Sequence, residues 1–142
     1  MSIKEHIMEK EGSAKPGNEY IPGVCNIGRA EIRMRAASGW MGLGVTIVLW
    51  SVLALTHTLP GWRLFVFLPA MLGASGFLQA AFHFCAGFGM KGVFNFGPEV
   101  GKTDTVMQAE FRKKDRQKAL FILLLSVLIG AVAAVAAFLI RF

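Results

Sequence analysis

Apolar residues in this chain gather into three long blocks that are separated by shorter polar segments. The blocks predict membrane spans over about residues 37–57, 63–88 and 119–140. About 20 apolar residues cross a hydrocarbon core of roughly 30 Å as an α-helix, so each block is long enough to span a membrane. We therefore predict an all-α membrane protein with three transmembrane helices, in which residues 1–25 form a polar cytoplasmic tail and residues 26–142 a single membrane domain.

Lysine and arginine residues are distributed unevenly between the two ends of these blocks. Six lie before the first block and seven lie within residues 90–118, whereas Arg63 and Arg141 are the only ones at the opposite ends. Cytoplasmic segments of membrane proteins carry an excess of basic residues. We therefore predict that the N-terminus and the loop 90–117 lie in the cytoplasm, that the C-terminus lies outside, and that the protein is a multi-pass protein of the cytoplasmic (inner) membrane.

The third helix is expected to begin well before its apolar block. Asp104 is a suitable N-cap residue, and a helix from there to Ile140 has about 37 residues and a length of roughly 55 Å. Such a helix is longer than the bilayer is thick, so we expect it to extend into the cytoplasm. Pro69 is expected to kink the second helix, because proline lacks the N–H that a helix interior requires.

The basic residues next to the apolar blocks are predicted to contact lipid headgroups and to set the orientation. They are Arg29, Arg33, Arg35, Arg112, Lys113, Lys114 and Arg116. Glu31 is expected to pair with Arg35, four residues further along the same helix. The net charge of +6 does not indicate nucleic-acid binding, because the basic residues flank membrane segments in a chain that is 54% hydrophobic.

Small residues three or four positions apart are predicted to form the contacts between helices, since they let helix backbones approach closely in lipid. These residues are Ser38 and Gly42 in the first block, Gly73, Gly76 and Ala80 in the second, and Ser126, Gly130 and Ala134 in the third. The interiors of the blocks contain no Asp, Glu, Lys or Arg. Proton relays and ion pathways rely on such groups, so the sequence argues against a pump or a self-contained transporter.

Cys25, His83 and Cys85 are the residues with the greatest chemical interest, and the topology places all three near the cytoplasmic face. Their side chains suit zinc, copper or iron. However, positions 83 and 85 point about 200° apart on a helix, so we predict packed residues and no metal or other cofactor. Two alternatives stay open: a redox thiol at Cys85, with Cys25, and a haem or chlorophyll-type pigment bound by His83.

Two stretches of the chain contain short motifs: Asn26-Ile27-Gly28 followed by Glu31, Arg35 and Gly39, and Phe84-Cys85 followed by Phe88 and Gly92. Through these motifs, residues 26–92 resemble the YgaP-like inner-membrane domain family, a two-span domain. The family patterns are N-[IV]-G-x-x-D-R-x-x-R-x-x-x-G and F-C-P-x-Y-x-x-x-G. This chain departs from them at Glu31, Ile32 and Ala86, has Phe88 at the position of the tyrosine, and adds a third span. The resemblance implies a packed helical pair that often dimerises, and it implies no reaction; some members carry a sulfur-handling rhodanese, which this chain lacks.

These patterns together favour a small, non-enzymatic structural or accessory membrane subunit. We expect it to pack against other copies or other membrane proteins in a larger complex and to bind no nucleic acid. The alternative is a thiol, redox or sulfur-handling membrane protein that uses Cys85, or a tetrapyrrole-binding protein that uses His83.

Overall fold

The computed structural model describes residues 19–140, which are mostly helical. The first 18 residues of the predicted tail lie outside this range, as do Arg141 and Phe142. The elements in chain order are α1 (Arg29–Leu55), a 3-10 helix (Pro60–Val66), α2 (Phe67–Phe82), α3 (Ala86–Lys91), β1 (Val93–Phe94), β2 (Asp104–Thr105) and α4 (Ala109–Leu139).

Three helical segments among the described residues are long and apolar enough to cross a membrane. They are α1, the 3-10 helix together with α2 (Pro60–Phe82), and α4. The prediction of three membrane-length helices is therefore confirmed. The described part of the chain is not purely helical, because β1 and β2 form a short antiparallel ladder in which Val93 pairs with Thr105.

The second helix ends at Phe82, six residues before the predicted end of the span at residue 88. His83 takes a left-handed backbone conformation (φ 53°, ψ 39°), which closes the last turn through a hydrogen bond from Phe84 N to Gln79 O (3.0 Å). Cys85 is extended and precedes the short helix α3. The apolar run from residue 62 to residue 97 is thus not one helix: it contains most of the 3-10 helix, α2, a break at residues 83–85, α3 and β1.

The boundaries of the other two long helices also differ from the predictions. α1 begins at Arg29, eight residues before the predicted span, and Gly28 is its N-cap residue. α4 begins at Ala109, because Asp104 is held in β2, and its 31 residues give a length of about 46 Å. Pro69 lies in the first turn of α2, where the missing N–H leaves no hydrogen bond unmade, so it starts this helix without interrupting it.

α2 packs against both of the other long helices. Its contact with α1 is a backbone contact: a Cβ added at Gly73 would lie 3.1 Å from the carbonyl carbon of Gly42. One turn further, a Cβ added at Gly76 would lie 2.6 Å from the backbone nitrogen of Gly39. Gly42, Gly73 and Gly76 therefore lie at the α1–α2 contact, whereas Ser38 lies exposed beside it and Ala80 is half-buried.

The contact between α2 and α4 uses the small-residue face of α4. Ser126, Gly130 and Ala134 are all buried on this helix. A Cβ at Gly130 would lie 2.9 Å from Met71 Cβ, so the α2 side chains fill the space that this glycine leaves. The opposite face of α4 exposes large apolar side chains, as expected of a helix that faces lipid or another apolar partner.

Candidate functional site

A cluster of buried polar residues lies at the end of the bundle where α1 begins and α2 ends. We call this cluster the polar knot and define it as Asn26, Glu31, Arg35, Cys85 and Asn95. Asn26, Glu31, Cys85 and Asn95 are each no more than 4% exposed. The knot joins three stretches that are far apart in the chain: the segment before α1, the break after α2, and the segment that follows β1.

Asn26 supplies the hydrogen bonds that the chain loses where α2 ends. Its side-chain Oδ1 accepts from the backbone N–H of Cys85 (2.6 Å), and its Nδ2 donates to the backbone oxygen of Cys85 (3.1 Å). Its own backbone N–H donates to His83 O (3.1 Å). A buried backbone group without a partner costs about 1–3 kcal/mol, so this side chain is what makes the break at residues 83–85 tolerable.

Glu31 is the acceptor at the centre of the knot and is 1% exposed. Its Oε1 accepts from Asn95 Nδ2 (3.0 Å) and from the backbone N–H of Gly101 (2.7 Å). Its Oε2 lies 3.5 Å from Arg35 Nη2, so the expected pairing of Glu31 with Arg35 is present. The backbone of Asn95 in turn pairs with Asn26 and Gly28. The carboxylate therefore fixes the loop after β1 against the start of α1.

Within the knot, Arg35 contacts the thiol of Cys85. Its Nη2 donates to Cys85 Sγ (3.0 Å), and its guanidinium carbon lies 5.8 Å from the centre of the Phe88 ring. Two atoms here are buried without a hydrogen-bond partner among the described residues: Arg35 Nε and Glu31 Oε2. The contact places a positive charge next to the sulfur, while the sulfur itself is shielded from solvent.

The structure gives the three candidate ligands different surroundings. Cys25 is buried and donates from its Sγ to the backbone oxygen of Glu19 (2.9 Å), whereas Cys85 contacts Arg35. Both cysteines are free thiols. His83 is half-buried, and its backbone oxygen accepts from Asn26. Within residues 19–140, no group of three His, Cys, Asp or Glu side chains is arranged to hold a metal ion.

A second buried carboxylate ties the segment before α1 to α4. Asp115 is fully buried, and its Oδ2 accepts from the Tyr20 hydroxyl (2.6 Å) while its Oδ1 accepts from Gly23 N (2.8 Å). Tyr20 stacks on Phe94, with ring centroids 4.9 Å apart. Burial, and then the hydrogen bond to Asp115, raises the pKa of the Tyr20 hydroxyl well above its ordinary value. The protonated phenol is therefore the form that holds this segment in place.

The basic residues predicted to contact lipid headgroups separate into two groups. Six are exposed: Arg29, Arg33, Arg112, Lys113, Lys114 and Arg116. Arg35 differs, because its side chain is 18% exposed and points to the knot. At the opposite end of the bundle, Arg63 is buried and its Nη1 donates to the backbone oxygen of Ile140 (2.6 Å), which ties the 3-10 helix to the end of α4.

Asn95 and Asp115 were given no role from the sequence, and Asn26 was named only in the motif that carries the family resemblance. Helical spacing contains a signal for Asp115, because it lies seven residues before Ile122 and eleven before Ser126, on the face of α4 that is buried. No comparable signal exists for Asn26 and Asn95, whose partners lie 59 and 64 residues away. Comparison of the chain with protein-family models, curated proteins and solved structures gave no match.

Proposed function

We propose that this chain is a small, non-enzymatic structural or accessory subunit that packs against partner membrane proteins in a larger complex. The observation that supports this most is that the hydrogen bonds of the polar knot are made within the chain itself. Asn26, Glu31 and Asn95 direct their hydrogen bonds at other segments of the same chain. A site of this kind makes the fold rigid and offers no acid, base or nucleophile that is exposed to a substrate.

The outward face of α4 supports packing against a partner helix. Five large apolar residues on it, each more than half exposed, recur at intervals of three or four positions: Leu124, Leu128, Val132, Val135 and Leu139. That spacing is the one by which two helices interlock over several turns. The small-residue face of the same helix is already occupied by α2, so this outward face is the one available to a partner.

Photo-crosslinking tests this proposal directly. A photoreactive residue at Leu128 is expected to give protein adducts of fixed mass in intact membranes. The same residue at Val48, which is 63% exposed on α1, serves as the matched lipid-facing control. Lipid adducts alone at both positions, together with a lone monomer after purification in mild detergent, would contradict the accessory function.

We also propose that the knot end of the bundle lies in the cytoplasm and the Arg63 end outside the cytoplasmic membrane. Arg29, Arg33 and the basic start of α4 lie at the knot end, whereas Arg63 lies at the other. This arrangement supports the orientation expected from the positive-inside rule. A C-terminal tag is expected to be cleaved by protease added to sealed spheroplasts, and protection of the tag would reverse the proposed orientation.

A thiol or redox function of Cys85 is the second candidate, and the contact with Arg35 Nη2 at 3.0 Å is the observation that favours it. A sulfenic-acid probe applied after mild oxidation is expected to label the Cys25→Ser variant, which retains Cys85, but not Cys85→Ser. An accessory function instead predicts that neither variant is labelled. It also predicts that Cys85→Ser lowers the free energy of unfolding by only about 1 kcal/mol, as the loss of a packing contact does. Pigment binding at His83 is tested by the absorption spectrum of the purified protein.

A further inference from the structure

A continuous groove runs along the outer side of the α1–α2 contact. Its upper part has a volume of about 430 Å³ and lies next to the polar knot, and its lower part has a volume of about 470 Å³. The two parts share Val45, Pro69 and Leu72, so they form one channel along the helix pair. On α1 the lining residues recur three and four positions apart, as residues on one face of a helix must.

The groove changes from polar to apolar along its length. Four polar residues line the upper part: Arg35, Ser38, Ser75 and Gln79. The lower part is lined by apolar side chains alone, among them Leu49, Leu53 and Phe65. A molecule that fills such a groove has a polar head at the knot end and an apolar chain that points away from it.

The charge at the polar end is complementary to an anion. Arg35 is the one charged residue that lines the upper groove, and Glu31 does not line it because it is buried behind the guanidinium. Arg35 uses Nη2 for Glu31 and Cys85, and its Nε is buried without a hydrogen-bond partner among the described residues. The side chain as a whole is 18% exposed, and it reaches the groove. Ser38 and Ser75 line the same upper part of the groove and add hydroxyl donors to it.

The depth of the groove matches one leaflet of a bilayer. Arg35 and Val45 are ten residues apart on α1, a rise of about 15 Å, which is half of a hydrocarbon core of roughly 30 Å. Val45 lines both parts of the groove and therefore marks the boundary between the upper part and the apolar lower part. A headgroup at Arg35 would therefore place an acyl chain of ordinary length along the upper groove as far as the bilayer midplane.

We propose that this groove binds one anionic phospholipid from the surrounding bilayer. Arg35 holds the phosphate, with the Ser38 and Ser75 hydroxyls beside it, and one acyl chain lies along Val45 and Leu72. The lipid is then a bound component of the helix pair and is distinct from the lipids that exchange freely around the exposed faces. The proposal does not depend on the accessory function, because it concerns a site within a single chain.

Native mass spectrometry of the full chain in mild detergent tests the proposal with phosphatidylglycerol and phosphatidylcholine of the same acyl composition. We expect one phosphatidylglycerol to be retained per chain, with about tenfold preference over phosphatidylcholine, as a charge-assisted contact of this kind supplies. Arg35→Gln is expected to abolish the preference. Lys91→Gln removes a positive charge from an exposed position at the end of α3, outside the groove, and is expected to leave the preference intact.

A second pair of variants keeps the test decisive if Arg35→Gln does not fold. Ser38→Leu fills the groove from an exposed position and is expected to reduce lipid retention about tenfold, whereas Ala37→Leu, exposed but outside the groove, is expected to have no effect. Equal retention of both lipids, or equal effects within either pair, would overturn the proposal. So would displacement of the lipid by millimolar inorganic phosphate, or a dimer that excludes phosphatidylglycerol from this face.

Discussion

Two glycines on α1 give a matched test of the contact between α1 and α2. Gly42 and Gly44 lie two residues apart on the same helix, yet a Cβ at Gly44 would meet nothing within 4 Å. A Cβ at Gly42 would lie against the Cα of Gly73 and 2.6 Å from its backbone nitrogen. These are backbone atoms that cannot rotate away, so Gly42→Ala must push the two helices apart.

The expected magnitude follows from the difference between the two variants. Replacing glycine by alanine within a helix stabilises it by about 1 kcal/mol, and this contribution is common to both positions. Overpacking at a tight contact costs roughly 1–3 kcal/mol, and only Gly42→Ala incurs it. Gly42→Ala should therefore be about 1–3 kcal/mol less stable than Gly44→Ala.

Unfolding in mixed micelles of sodium dodecyl sulfate is a suitable assay, with helix content measured by circular dichroism. In a background in which Trp50 and Trp62 are replaced by phenylalanine, Trp40 gives a local signal for the same contact, because its ring meets that of Phe77 edge-on at a centroid distance of 5.2 Å. We expect the tryptophan signal of Gly42→Ala to change before unfolding, while Gly44→Ala keeps the parent signal. Equal stability of the two variants would refute the close α1–α2 contact.

Three further predictions concern Arg63, His83 and Tyr20. Arg63→Gln should cost about 1–2 kcal/mol and increase hydrogen exchange at the last turn of α4, because the charged donor to Ile140 O is lost; unchanged exchange would contradict this. His83→Gly should stabilise the protein by about 1 kcal/mol, since glycine adopts the left-handed conformation without strain, and a lower unfolding midpoint would count against it. Tyr20, the only tyrosine in the chain, should ionise well above about pH 10 in a difference spectrum near 295 nm. Its pKa is raised on folding, so its contribution to stability is complete below about pH 10 and is lost as the pH rises further. Asp115→Asn should lower the pH midpoint of the Tyr20 titration toward that of tyrosine in the unfolded chain.

Hydrophobic patterning was sufficient to predict the three long helices, because a membrane-length apolar run leaves few alternatives. It was also sufficient to find Gly42, Gly73 and Gly130, whose spacing reflects the close approach of helix backbones. It could not locate the break at His83. The residues around it are apolar and compatible with a helix, and what stabilises the break is the side chain of Asn26, 59 residues from Cys85.

The start of α4 illustrates the same limit in a different way. Asp104 has the chemistry of an N-cap residue, but Asp104 pairs with Phe94 in the short ladder, so the helix begins five residues later. Whether such a residue caps a helix or joins a strand depends on whether another segment, here Val93–Phe94, pairs with its backbone. Glu31 and Asp115, by contrast, lie on helix faces that carry small or apolar residues, and their helical phase alone marks them as buried.

Arg35 contributes to both the fold and the proposed lipid site, and its chemistry explains how. A guanidinium carries five N–H donors in a fixed plane, so one edge can contact Glu31 and Cys85 while other donors remain for a ligand. A lysine ammonium would supply the charge to Glu31, but its three donors all lie on one nitrogen and lack the planar, spaced arrangement of the guanidinium donors. The buried carboxylate keeps the guanidinium in position at the head of the groove, because moving Arg35 away would leave Glu31 Oε2 without its counter-charge. The polar knot thus holds in place the one charged side chain that lines the upper part of the groove.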